Sequence, residues 1–253
     1  MKNLQPQIEE LVTANRILAH EDIVDAFGHI SCRHPFRDDR FLLSRARAPH
    51  CIEAGDIMEF TLAGDAVEPA GRGSYIERYI HAAIYKLRPD VRSVIHSHSS
   101  STIPFGVCAT PIRPMLHNCA VIGNEVRIWD SQSKFGDTDL LISSMEMAED
   151  LASFLAEDPA VLMRGHGSVV VGVSVRQAVF AAIKLETSAD LQTRASQLGK
   201  ITFLPRGEVD LVNRAFEAIG DKPLAGVDRA WEYWCSRAGV PYRAPNARGP
   251  AKM

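Results

Sequence analysis

The sequence predicts an α/β protein, and three observations carry that expectation. Short apolar runs of strand length alternate with longer segments of helical periodicity, turn residues separate the two kinds of segment, and no internal repeat or linker-like stretch interrupts them before about residue 240. Residues 1–241 therefore read as a single domain. The stretch 242–253, rich in Pro, Arg, Ala and Gly, reads as a loose C-terminal tail.

Apolar side chains at Ile8, Leu11, Val12, Ile17 and Leu18 predict an amphipathic helix over 6–20. Runs at 28–33, 40–44 and 57–62, bounded by Gly, Pro and Asp, predict strands of a meander that ends at the Ala63-Gly64-Asp65 turn. Helical spacing resumes over 75–87 and is stopped by Arg88-Pro89-Asp90. A buried strand is expected at 91–96, a helix over about 140–157, strands at 160–163 and 169–172, and a long helix over about 176–196. Trp231, Tyr233 and Trp234 form an aromatic patch on a late helix, read as packing within the chain or between subunits.

Composition narrows the partners. The 253 residues are 46% hydrophobic and 23% charged, with 28 basic against 31 acidic side chains, a formal charge of −3 and a pI near 6.3. Collagen-like, low-complexity and largely disordered classes are excluded, and no general charge favours nucleic acid or an acidic membrane. No apolar run reaches the roughly 18 residues that span a bilayer, and the first residues lack an apolar signal core. A cytosolic protein acting on small molecules is expected. The cysteines Cys32, Cys51, Cys108, Cys119 and Cys235 are scattered and odd in number, as expected of reduced thiols that mostly pack.

The most informative segment is Val94-Ile95-His96-Ser97-His98-Ser99. On a strand, His-x-His puts both imidazoles on one face about 7 Å apart at the Cα atoms, either as polar lining or as two ligands of one cation. His166 sits between Gly165 and Gly167 directly after an apolar strand, where glycines let the backbone turn tightly. Three neutral imidazoles with an open position would make a catalytic metal site. Upstream, Glu77 and His81 are spaced i, i+4 on the expected helix and would share a face, which reads equally as an exposed helical pair.

Together these motifs resemble the class II aldolase/adducin family, over residues 7–198. The resemblance runs in order through Gly28-His29-Ile30-Ser31, Glu77-x-x-x-His81, Arg88-Pro89-Asp90, His96-x-His98 and Gly165-His166-Gly167. It implies a three-layer α/β/α arrangement around a mixed, mainly antiparallel sheet, and usually a homotetramer with active sites at subunit junctions. It also implies one divalent metal ion per subunit held by His96, His98 and His166, with Glu77 as the acid/base carboxylate that binds the metal when substrate is absent. The metal expected is Mn2+ or Zn2+, and no organic cofactor is expected.

Sugar-phosphate aldolases of this family usually carry Asn in the first motif and a glycine-containing phosphate loop after it. Here His29 replaces Asn, and the loop reads Leu43-Ser44-Arg45-Ala46-Arg47-Ala48-Pro49. Arginine presents a planar fork suited to carboxylates. The chain thus looks like the branch that decarboxylates ortho-hydroxylated aromatic or pyridine dicarboxylates. In that reading the metal serves as a Lewis acid, Glu77 gives a proton to the ring carbon, and Arg45 or Arg47 holds the second carboxylate. His29, Ser31, Ser44 and His117 are further substrate-contact candidates. For Glu77 to donate near neutrality its pKa would have to be raised. A class II aldolase using the same metal and a non-catalytic adducin-like scaffold are the rival expectations. His20, His34 and His50 are expected in surface or loop positions.

Overall fold

Both faces of the central sheet are covered, which explains why its inner strands read as unbroken apolar runs rather than alternating ones. The structure, a computed structural model, describes residues 3–217 and 225–244. Its strands are β1 (His29–Arg33), β2 (Arg40–Ser44), β3 (Ile57–Thr61), β4 (Ala66–Val67), β5 (Ser93–Ser97), β6 (Arg127–Trp129), β7 (Ala160–Met163) and β8 (Gly167–Gly172). They form one sheet in the order β4-β3-β2-β1-β5-β8-β7-β6. All pairs are antiparallel except β6 with β7. A parallel pair needs a crossover, and α3 (Gln132–Phe135) and α4 (Met145–Leu155) supply it between those two strands.

One face packs against α1 (Gln5–His20), α5 (Val175–Leu198) and α7 (Ala225–Arg237); the other packs against α2 (Arg78–Leu87) and α4. The two-residue period of the strands divides their side chains between these layers. Ile30, Cys32, Leu42, Ile95, Leu162 and Val170 join the first core, whereas Phe41, Leu43, Val94, Val161 and Val169 join the second. The fold is therefore the three-layer α/β/α arrangement with a mixed, mainly antiparallel sheet that the resemblance implied. A sixth helix in chain order, α6 (Arg206–Glu217), packs on the 3-10 segment His117–Ile122.

Two helices begin later than their periodicity suggests, and in both cases the residues left out are the ones with other work. Helix α2 starts at Arg78, so Glu77 occupies its N-cap position, with φ −84° and ψ 16°. The expectation that Glu77 and His81 share a helical face is therefore corrected: His81 turns to the sheet, and Glu77 is freed to point elsewhere. Helix α4 starts at Met145 because Ser144 caps it, its Oγ accepting from the Met147 amide at 3.3 Å. Residues 140–143 are left as a connection.

Of the aromatic patch, Trp231 and Trp234 are buried within the chain and Tyr233 is exposed. The Arg176 guanidinium lies 5.2 Å from the Trp231 ring centroid, and Phe180 lies 6.0 Å from Trp234, so the two tryptophans fasten α7 to α5. His34 lies in the loop that follows β1, buried at 5% exposure, and its Nδ1 accepts from the Phe36 amide at 3.1 Å. Cys32, Cys119 and Cys235 are buried, and Cys51 and Cys108 exposed, all as free thiols. Of the expected tail, 245–253 lie outside the described residues, while the Arg243 carbonyl accepts from Arg176 at 2.8 Å. Among the described residues, no helix is long and apolar enough to cross a membrane.

Trp231 is one of the largest fully buried side chains. Its replacement by Ala should cost about 3–5 kcal/mol, read from chemical denaturation; an unchanged midpoint would mean that α7 does not share this core.

Candidate metal centre

The site forms where β5 runs out beside the β7–β8 hairpin. Antiparallel pairing sets His96 opposite Val169 and Ser97 opposite Ser168. His96 thereby ends up on the α2 side of the sheet, as does Val94 two residues earlier. The hairpin turns within Met163-Arg164-Gly165-His166, closed by the His166 amide donating to the Met163 carbonyl at 3.1 Å. Gly165 has φ +65°, a conformation that favours glycine. A Cβ on Gly167 would fall 2.3 Å from the Ser97 carbonyl oxygen and 2.9 Å from His98 Cδ2. The glycines flanking His166 are thus what allow the hairpin to approach the His-x-His segment.

One nitrogen of each imidazole is committed to an oxygen. His96 Nδ1 lies 3.1 Å from the Ser168 carbonyl, His166 Nδ1 2.8 Å from the Leu140 carbonyl, and His98 Nδ1 3.2 Å from Asp25 Oδ1. A carbonyl oxygen only accepts, so the Nδ1 atoms of His96 and His166 carry the protons, and the Asp25 carboxylate imposes the same tautomer on His98. All three Nε2 atoms then present lone pairs inward. His96 Nε2 is 3.0 Å from His98 Nε2. Glu77 completes the group, its Oε2 3.2 Å from His96 Nε2 and 3.5 Å from His166 Nε2. Its Oε1 accepts from the Ile142 amide at 3.0 Å, so the short connection before α4 anchors both Glu77 and His166.

These four donor atoms lie within 4.8 Å of one another. Imidazole and carboxylate ligands about 2.0–2.1 Å from an ion in tetrahedral array would be about 3.4 Å apart, and the three closest separations lie around that value. The group can hold one divalent ion, and the engagement of each Nδ1 by an oxygen is the outer support such ligands need. Burial pushes the Glu77 carboxyl up, but the His96 and His166 imidazoles outweigh it and hold the group well below the usual carboxylate range. Burial lowers His166, yet Glu77 reverses the sign and raises it. Burial and His96 together lower His98. Glu77 is therefore held as a carboxylate, where donation alone would have asked for a raised pKa.

The remaining candidates divide. His29 stands next to the group, its ring centroid 5.2 Å from that of His96 and 4.5 Å from that of Tyr75. Ser31 is fully buried, its Oγ 2.6 Å from His81 Nδ1 and 2.8 Å from the Tyr85 hydroxyl. Ser44 Oγ lies 3.2 Å from the Tyr75 hydroxyl, which also donates to the Arg47 carbonyl. Arg45 Nε and Arg47 Nη1 both bond Asp56, at 2.5 and 2.7 Å, with about a third of each arginine side chain exposed. Burial raises the Asp56 carboxyl, and the two guanidiniums more than offset that, holding it down at about 2. His117 is exposed and faces Phe216 of α6, 5.9 Å between ring centroids.

Asp25 and Tyr75 escaped sequence reasoning. An Asp three residues before Gly28 announces only a turn, which it does make by accepting from the Phe27 and Gly28 amides at 2.8 and 3.2 Å. Tyr75 looked like the first residue of a helix.

Fold and site together define a class II aldolase-type domain. The chain belongs to the class II aldolase and adducin N-terminal domain family, whose sequence model matches residues 9–193. It is 32% identical over 253 aligned residues to decarboxylase tropJ of Talaromyces stipitatus, covering 90% of this chain and 92% of that protein. It is 30% identical over 201 residues to a 3,4-dihydroxyphthalate decarboxylase of Arthrobacter keyseri, covering 76% and 79%. The crystal structure of an aldolase II superfamily protein from Pseudomonas syringae shares the fold at TM-score 0.76, with 24% identity over 94% of each chain. The chain is thus a member of an enzyme family of aldolases and decarboxylases.

His81 is fully buried, and burial followed by the charge of His96 lowers its pKa to about 3. Because the folded value lies below the unfolded one, near 6.5, the unfolded chain takes up the extra proton. Stability should be unaffected by this group above about pH 6.5 and should fall as the pH drops toward 3. A His81→Gln variant should lose part of that slope in pH-dependent thermal melts; an unchanged slope would contradict a neutral buried His81.

Proposed function

We propose that this protein is a divalent-metal-dependent carboxy-lyase that removes one carboxylate from an ortho-hydroxylated aromatic or pyridine dicarboxylate. Its ligands would be Glu77, His96, His98 and His166. The convergence of three bare Nε2 atoms and one carboxylate oxygen on a single point is the observation that carries the reading. The decarboxylase relatives favour carbon dioxide over an aldehyde as the leaving fragment. Bound in this group, a divalent ion would supply Lewis acidity toward adjacent oxygens of the ring substituents.

The protein's own groups handle the proton. Held as a carboxylate, Glu77 can take the proton of a ring hydroxyl on Oε2 while the Ile142 amide keeps Oε1 in place. The same Oε2–H is then the donor to the ring carbon as its carboxylate leaves as carbon dioxide. The ring oxygen, left without its proton, regains one from water. The low pKa of the resting group and its role as acid are thus consistent, since the substrate supplies the proton that Glu77 returns. Arg45 and Arg47 share Asp56, with the exposed Glu53 4.0 Å from Arg47, which leaves fork positions open for the second substrate carboxylate. Tyr75 connects that loop to His29 and so to the ligand group. The reading includes a homotetramer with active sites at subunit junctions, a cytosolic location and no organic cofactor.

Incubation of manganese- or zinc-loaded protein with 3,4-dihydroxyphthalate should release carbon dioxide, while sugar phosphates should release no aldehyde. The reverse pattern would assign the aldolase instead. His98→Ala should abolish metal binding and activity together, and full metal occupancy in that variant would remove His98 from the ligand set. Glu77→Gln should retain metal yet lower kcat by about 100-fold or more, and near-normal turnover would exclude the proton role.

A further inference from the structure

A line of four buried side chains leads inward from the metal centre. His29 Nδ1 lies 2.7 Å from His81 Nε2, His81 Nδ1 lies 2.6 Å from Ser31 Oγ, and Ser31 Oγ lies 2.8 Å from the Tyr85 hydroxyl. None of the four residues exceeds 1% exposure. Strand β1 supplies His29 and Ser31 from one face at i, i+2, and α2 supplies His81 and Tyr85 from one face at i, i+4.

Each contact holds one proton, so neutral groups allow only two arrangements of the imidazoles, set by which nitrogen of His81 carries the proton. In the first, His29 Nδ1–H donates to His81, His81 Nδ1–H donates to Ser31, and Ser31 either donates to Tyr85 or accepts from it. One hydroxyl proton, that of Tyr85 or that of Ser31, then has no acceptor among the described residues, because both groups are buried and the Tyr85 ring is enclosed by Phe41 and Arg33. In the second, Tyr85 donates to Ser31, Ser31 to His81 Nδ1, and His81 Nε2–H to His29 Nδ1. The one proton left over is then on His29 Nε2, beside the ligand group, where an acceptor from outside the chain can meet it. A hydroxyl proton stranded in the core, out of reach of any outside acceptor, disfavours the first arrangement.

The second arrangement leaves His29 with its proton on Nε2. That nitrogen has no hydrogen-bond partner among the described residues, although His29 is 99% buried and stands ring to ring with His96 and Tyr75. An unpartnered N–H at this depth, beside the ligand group, calls for an acceptor from outside the chain.

We infer that the Tyr85-Ser31-His81 line fixes His29 as a neutral Nε2–H donor to an anionic oxygen of the bound substrate, and that Ser31, His81 and Tyr85 are positioning residues rather than substrate contacts. His29 is thereby a donor and not a base. No proton is conducted, because the line ends at a tyrosine enclosed by the core. The identity of the acceptor, a carboxylate or phenolate oxygen, rests on the carboxy-lyase reading; the tautomer does not.

Neutron diffraction from crystals of the zinc-loaded protein in heavy water tests the tautomer. Deuterons are expected on Nε2 of both His29 and His81, with the Tyr85 deuteron directed at Ser31. A deuteron on His29 Nδ1, alone or with one on Nε2, overturns the inference. Kinetics test the donor role: His29→Leu should lower kcat/KM for 3,4-dihydroxyphthalate by about 10- to 100-fold at unchanged zinc content. His29→Asn, whose amide can donate, should recover much of that loss. Equal losses in the two variants overturn the donor role. If the unaltered protein releases no carbon dioxide from this substrate, the carboxy-lyase reading fails separately, and the deuteron positions still decide the tautomer.

Discussion

The 3.0 Å approach of His96 Nε2 to His98 Nε2 is the contact on which the rest of this structure depends. With both Nδ1 atoms committed to oxygens, two lone pairs face each other across that gap, and only a positive charge between them makes the arrangement favourable. The third imidazole and the Glu77 carboxylate border the same gap. The four ligands are held by three separate parts of the chain: the Ser168 carbonyl in β8, Asp25 in the turn before β1, and Leu140 and Ile142 in the connection before α4. The group is therefore set by tertiary structure rather than by any one segment, and its geometry is a property of the assembled sheet.

The sheet achieves this through its order. β5 lies between β1 and β8, so the strand carrying His96 has His29 on one side and the hairpin of His166 on the other. Cover on both faces excludes water from the strands, while the strand end and hairpin turn stay at the edge of the core: His96 is fully buried, but His98 keeps 20% of its side chain exposed. The ligands thus grade from core to opening over three residues. Gly167 lets two backbone segments meet at a distance that any side chain would prevent, which is why the close approach and the small residue occur together.

Much of the scaffold was legible because burial imposes periodicity. The strands at 40–44 and 160–163 and the helix pattern of α1 follow from apolar spacing, and they matter to the site only as supports. His96, His98 and His166 were legible because short spacing and flanking glycines constrain them locally. The helix starts were not, since the periodicity of α2 extends through Tyr75 while Glu77 leaves the helix to meet His96. Asp25 was invisible for a related reason: 73 residues separate it from His98, and nothing in its own neighbourhood distinguishes an acid that supports a ligand from one that closes a turn. Ser31 is a substrate-contact candidate by its motif alone, whereas the register of β1 directs it into the α2 layer, where both of its neighbours are buried.

Arg45 and Arg47 show how a contact inside the chain can prepare one outside it. Both are fastened to Asp56, which fixes two flexible side chains that would otherwise lose rotamer freedom on meeting a substrate. Glu53 also lies 4.0 Å from Arg47 but is 71% exposed, so it is Asp56 that sets the orientation of both forks before a substrate arrives. Asp56, held down at about 2, remains ionised through the neutral range, and the arrangement of the two forks does not change with pH there. The Tyr75 hydroxyl, bonded to the Arg47 carbonyl, ties this loop to the ring tilted against His29. In the proposed reaction a dicarboxylate would therefore meet cationic groups at both ends, a bound metal at one and a prearranged arginine pair at the other, and its second carboxylate would serve to orient the ring for the loss of the first.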